Sequence, residues 1–194
     1  VVGGAEGVAY TFAWTRAGSD EVVSETAVLP SVHTLKGETW QVAVTPSASG
    51  LTGEPALASA TIVNSAPLVE SVVVTPVPAR AGDTLTCSYT GFDDADNDFD
   101  QSIAWWFVND ASVSSGNTFT GDFVVGDAVR CQVIPFDGET AGEPVEASLE
   151  VANTVPNAPQ VSLSSLAPRA NTDSLICSVD SVGADPDGEP LEVS

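Results

Sequence analysis

The chain has 194 residues, with 27 acidic against five basic ones and a formal net charge of −22. A surface this negative repels phosphate backbones and anionic lipid, so nucleic acid and anionic membrane surfaces are excluded as partners. Divalent cations and basic partners are favoured; keeping a long chain soluble accounts for the same charge.

Hydrophobic residues make up 43% of the chain, enough for a core despite the charge. Methionine is absent, and valine and threonine are abundant, residues whose branched β-carbons suit a pleated surface. No apolar run is long enough to span a bilayer, so no membrane insertion is expected in this segment. No signal peptide opens the chain, which is expected to be mature, processed or cut from something longer. No Asn-x-Ser/Thr sequon occurs.

The first elements belong to a truncated copy of a repeat, residues 1–63. Val8 to Trp14 reads as a strand with Tyr10, Phe12 and Trp14 on one face, expected in a core. Gly37-Glu38-Thr39-Trp40-Gln41-Val42 then matches Gly126-Asp127-Ala128-Val129-Arg130-Cys131 at an offset of 89 residues. The same offset carries Gly53-Glu54-Pro55 onto Gly142-Glu143-Pro144, and Asn64-Ser65-Ala66-Pro67 onto Asn153-Thr154-Val155-Pro156. Three landmarks at one spacing define a repeat.

The complete copy covers residues 64–152. Val69 to Val74 is a first strand, closed by Pro76 and Pro78. Thr84 to Tyr89 alternates, with Leu85, Cys87 and Tyr89 on one face, and Ile103 to Val108 is a third strand. A polar stretch follows to Thr118-Phe119-Thr120. Ala128 to Val133 alternates again, Asp137-Gly138 is a hairpin turn, and Val145 to Val151 is the last strand. A third, truncated copy covers residues 153–194, where Leu175-Ile176-Cys177-Ser178 repeats Leu85-Thr86-Cys87-Ser88 at an offset of 90 and Leu191-Glu192-Val193 reads as the start of a further strand. Short strands with turn signals about every ten residues indicate an all-β fold of antiparallel sandwiches, one complete and two partial.

The densest chemical feature lies between the second and third strands of the complete copy. Asp93, Asp94, Asp96, Asp98 and Asp100 crowd into eight residues. Two explanations remain open. A hard cation such as calcium, which takes six to eight oxygens, removes the mutual repulsion. Alternatively, the aspartates make local hydrogen bonds in a solvated turn. Asp185 and Asp187 repeat the pattern in the third copy, and Asp137 joins as a further candidate ligand. This is not an EF-hand: flanking helices and the twelfth-position glutamate are missing.

Enzyme chemistry finds little support, and none is expected. His33 is the only histidine, and the 89-residue offset puts Asp122 at its counterpart. Neither a nucleophile elbow nor a phosphate-cradling glycine loop occurs. Lys36 is the only lysine, so lysine–asparagine isopeptide staples are impossible in the second and third copies.

The order Cys87…Trp106…Cys131 resembles the immunoglobulin pattern. That resemblance implies a Cys87–Cys131 disulfide between two sheets, with the indole packed on it, an oxidising compartment, and Cys177 without a partner among these residues. Three buried thiols that never pair are the alternative. The Asn-x-x-Pro linker, the Leu-x-Cys strand, the aspartate-rich loop, Trp106-Phe107-Val108-Asn109, Gly126-Asp127 with Cys131, and Pro135-x-Asp137-Gly138 together resemble the tandem immunoglobulin-like, cadherin-like repeats of large bacterial surface proteins. In that topology the acidic loop, Asp137 and the linker Asn64–Pro67 lie at one end of the sandwich. The resemblance implies an extracellular or cell-surface filament, stalk or fibre whose partners are neighbouring copies of the repeat. An adhesin that binds a glycan or protein through its loops is the alternative, with Trp105, opposite in parity to Trp106, as its best contact. The first copy has Val42 in place of Cys131 and lacks the loop aspartate. The partial copies need completion. Residues 154–194 of one subunit could fill the 1–63 half of the next by donor-strand exchange. The overlap of the two halves favours instead a continuous chain of many repeats.

Overall fold

A computed structural model describes residues 7–190. Among these residues the fold is all-β, and the only helical segment is a single 3-10 turn at Ser31–His33. The chain divides into two compact units. One holds the residues up to Pro67 together with Asp94–Phe99 and Asp137–Thr140; the other holds Leu68–Asp93, Asp100–Phe136 and the residues from Ala141.

The first unit is built on one antiparallel sheet. Strands β1 (Ala9–Arg16), β2 (Val22–Ser24), β3 (Thr39–Ala48) and β4 (Leu51–Thr52) run in the order β2-β1-β3-β4, and β5 (Ala56–Thr61) also pairs with β3. Alternation along β3 buries Trp40 and Val42 and turns Gln41 outward. Phe12 and Trp14 are half-buried, and the Trp14 indole N–H donates to the Thr26 carbonyl. Tyr10 corrects the expectation of an all-core aromatic face: it is 59% exposed. Its parity is that of Trp14, but it sits near the start of β1, opposite Pro46.

The second unit contains a β-sandwich. One sheet runs β10-β7-β6, from β6 (Ser71–Thr75), β7 (Leu85–Thr90) and β10 (Thr118–Phe119). The other runs β12-β11-β8-β9, from β8 (Ile103–Val108), β9 (Ala111–Ser115), β11 (Ala128–Ile134) and β12 (Val145–Glu150). Val74, Leu85, Cys87 and Phe119 of the first sheet and Ala104, Trp106, Val129, Cys131 and Val133 of the second form one core. Cys87 and Cys131 are disulfide-bonded and join the two sheets, as the immunoglobulin resemblance implied. Trp106 is fully buried; it pairs with Cys131 across the ladder, stacks on Phe119 and donates its indole N–H to the Gly116 carbonyl. The polar 111–119 stretch supplies β9 and β10, weak strands that the alternation left indistinct. Gly91 must be glycine: its φ is +71°, and an added Cβ would lie 2.4 Å from Cβ of Glu70.

The last strands, β13 (Gln160–Leu163) and β14 (Cys177–Ser181), pair antiparallel and are exposed throughout. Cys177 is free and exposed. The strand expected at Leu191-Glu192-Val193 lies outside the described residues.

The ladders of the copies correspond in their pairing. Trp14 pairs with Val42 and Val42 with Ala58; Trp106 pairs with Cys131 and Cys131 with Ala147. Likewise Val74 pairs with Cys87, and Leu163 with Cys177. A side-chain period of two makes register the sensitive quantity, because a slip of one residue would invert every face.

Candidate functional site

The acidic loop folds into a turn organised by Asp94. Its Oδ1 accepts the backbone N–H groups of Asp96 (2.9 Å) and Asp98 (3.0 Å), and its carbonyl accepts Asn97 N–H at 3.1 Å. Asn97 takes the left-handed conformation this turn needs (φ +62°), which asparagine tolerates better than most residues. The turn aims Asp96 at the linker: Asp96 Oδ2 accepts the backbone N–H of Ser65 at 2.7 Å.

Asp137 arrives from the Phe136–Ala141 hairpin. Its Oδ1 accepts the N–H groups of Glu139 (2.7 Å) and Thr140 (2.6 Å), and its Oδ2 accepts the Asn64 side-chain amide at 2.8 Å. The Thr140 N–H and the Asn64 amide, both donating to the ionised form, hold the Asp137 carboxyl down at about 2. Asp94, Asp98 and Asp137 converge, with one carboxylate oxygen from each within 4.8 Å of the others. Asp94 and Asp137 are buried.

Lys36 enters the same cluster. Its ammonium donates to Asn64 Oδ1 (2.7 Å), to Asp98 and to Glu139 (3.3 Å). Asp98 foremost holds the lysine well above its ordinary range. All of these residues lie within the first unit.

Of the seven expected cation ligands, the structure therefore brings three together. Asp93 instead bridges to Leu68 through its backbone, and Asp96 holds Ser65. Asp185 and Asp187 form a second turn of the same design. Asp187 N–H donates to Asp185 Oδ1 (2.8 Å), Gly188 takes the place and the positive φ of Asn97, and Asp187 Oδ2 accepts the Thr154 N–H at 2.5 Å. Asn153, the counterpart of Asn64, donates to Glu189 at 3.4 Å. Each of the two Asn-x-x-Pro segments is thus caught at its second residue by the second aspartate of an Asp-x-Asp turn.

Lys36 and Glu139 were not foreseen as members of the cluster. The available signal was that Lys36 is the only lysine, with Val125 at its counterpart 89 residues on. Nothing local in the sequence marks Glu139.

A second recurring device sits at the start of the strand pair β3 and β11. Glu38 accepts the Leu35 N–H and Asp127 the Val124 N–H, and these backbone donors hold both carboxyls below their ordinary range. On the outer face of the sandwich, Trp105 is 38% exposed, and the Arg130 guanidinium lies 4.1 Å from the centre of the Phe107 ring. No helix among the described residues is long and apolar enough to cross a membrane. No protein-family model matches the chain, and none of the curated proteins searched is significantly similar to it.

Proposed function

We propose that this chain is a stretch of an extracellular array of immunoglobulin-like repeats, and that it serves as a structural component of a filament, stalk or surface fibre rather than as an enzyme. One observation carries the proposal. Two successive linkers bear the same clasp, Asp96 on Ser65 and Asp187 on Thr154. A binding loop diversifies between copies, whereas a device that fixes each linker must recur at every one. The disulfide, placed between sheets, supports an oxidising location. The acidic surface supports a solvated, well-spaced chain.

The test uses an antibody against the central repeat on the source cells. The expected result is surface labelling along fibres, and a band far above 19.8 kDa on a reducing, denaturing gel. Intracellular labelling, or a band at that mass, would overturn the array.

One observation favours adhesion as a second function. Trp105 stands exposed on the outer sheet face that also carries Phe107 and Arg130, and exposed aromatics of this kind dominate recognition surfaces. Loss of attachment in Trp105→Ser, with fibres intact, would select this function over the purely structural one.

A further inference from the structure

The Asp94 side chain presents an anomaly. The residue is only 9% exposed, and its Oδ2 is buried without a hydrogen-bond partner, while Oδ1 takes two backbone donors. A buried carboxylate oxygen left unpaired is costly and rare in folded proteins. The neighbouring ammonium cannot supply the missing contact. Lys36 has three donors, and Asn64, Asp98 and Glu139 use them. The one lysine charge is thus engaged by Asp98 and Glu139, in a cluster that also contains the carboxylates of Asp94 and Asp137.

From this we infer that Asp94, Asp98 and Asp137 form a site for a hard divalent cation, and that Lys36 sets its affinity by competing for Asp98. The donors are all oxygens, which selects calcium or magnesium over the softer transition metals. Three carboxylates within 4.8 Å of one another span a distance that one ion can bridge. Of the two Asp94 oxygens, only Oδ1 is occupied by the turn, so an ion can be held without breaking the clasp. Few protein ligands and a competing ammonium point to weak binding, with a Kd on the order of 10⁻⁴–10⁻³ M, as in extracellular calcium modules.

The counterpart turn at Asp185–Glu189 lacks both the lysine and an equivalent of Asp137 in the described residues, and it is not included. The site goes beyond the proposed role in a fibre and does not depend on it.

The test is calcium titration of the 194-residue chain at constant ionic strength, followed by calorimetry and thermal melting of the wild type, Lys36→Met and Asp98→Asn. Asp98 is chosen because its carboxylate holds Lys36 rather than a backbone turn. Expected are calcium binding in the wild type and binding tightened about tenfold or more in Lys36→Met, where a unit charge has gone. The melting temperature that Lys36→Met loses should be regained with calcium. In Asp98→Asn the response should disappear. Two results overturn the inference: no calcium response at millimolar concentration in either the wild type or Lys36→Met, or a response in Asp98→Asn equal to that of the wild type. A response confined to Lys36→Met upholds the site and makes the lysine its full occupant.

Discussion

The first and central repeats share one ladder and differ in what covers it. Trp14–Val42–Ala58 and Trp106–Cys131–Ala147 occupy the same register. Trp106 and Cys131 are fully buried, whereas Trp14 is half-buried. The central ladder faces a second sheet bearing Leu85, Cys87 and Phe119; the first unit's described strands all lie in one sheet. The difference separates two things that sequence similarity merges. Register follows from backbone pairing and alternation and survives in a single sheet. Burial needs a facing layer, and the same residue type contributes far less where that layer is thin.

The sharpest way to break this comparison is to remove the two tryptophans in turn. Trp106→Ala should cost about 3–5 kcal/mol, the range for a large aromatic taken from a packed core. Trp14→Ala should cost distinctly less, because part of its surface already meets water. Denaturant unfolding, with hydrogen exchange to assign each transition to its unit, measures both. Equal losses would show that the first sheet is as well covered as the central one.

Breaking the disulfide comes next. The bond closes a loop of 44 residues, so Cys87→Ala with Cys131→Ala should lower the stability of the central sandwich by about 4 kcal/mol on the chain-entropy account. Exchange of the β1 and β3 amides should not change, since the equivalent position there is Val42. Protection lost in both units at once would contradict that independence.

The smallest effect is a matter of pH and tests a likeness rather than a difference. Glu38 and Asp127 hold the same backbone site in the two repeats, and both carboxyls are lowered. A lowered carboxyl binds fewer protons folded than unfolded. Its stabilisation is complete above the ordinary carboxylate value of about 4 and is lost as pH falls through the folded value. Asp127→Asn should therefore melt lower than the wild type at neutral pH, with the gap closing as the solution is acidified below about pH 4. A gap that is constant with pH would show that the Val124 N–H is not held by charge.

Much of the fold was legible because it rests on local periodicities. Alternation at Val129, Cys131 and Val133 marked β11 and its inward face, and the Asp137-Gly138 turn marked the hairpin that leads from it to β12. The edges were harder. β9 is short and polar and β10 is only two residues long, so neither carries enough alternation to be read. For the site, the crowding of aspartates pointed to the right loop but not to the right partners. Asp93 and Asp96 differ little in sequence from Asp94 and Asp98, yet the turn sends them elsewhere.

The sequence by itself determined the repeat, the strand faces, the cysteine order and the excess of negative charge, because each depends on spacing along the chain. Only the tertiary structure decided which aspartates meet, that Lys36 enters among them from 62 residues away, and that Asp94 Oδ2 is left without a donor. Those facts depend on where three separate loops arrive in space. No pattern within any one loop encodes the position of the other two.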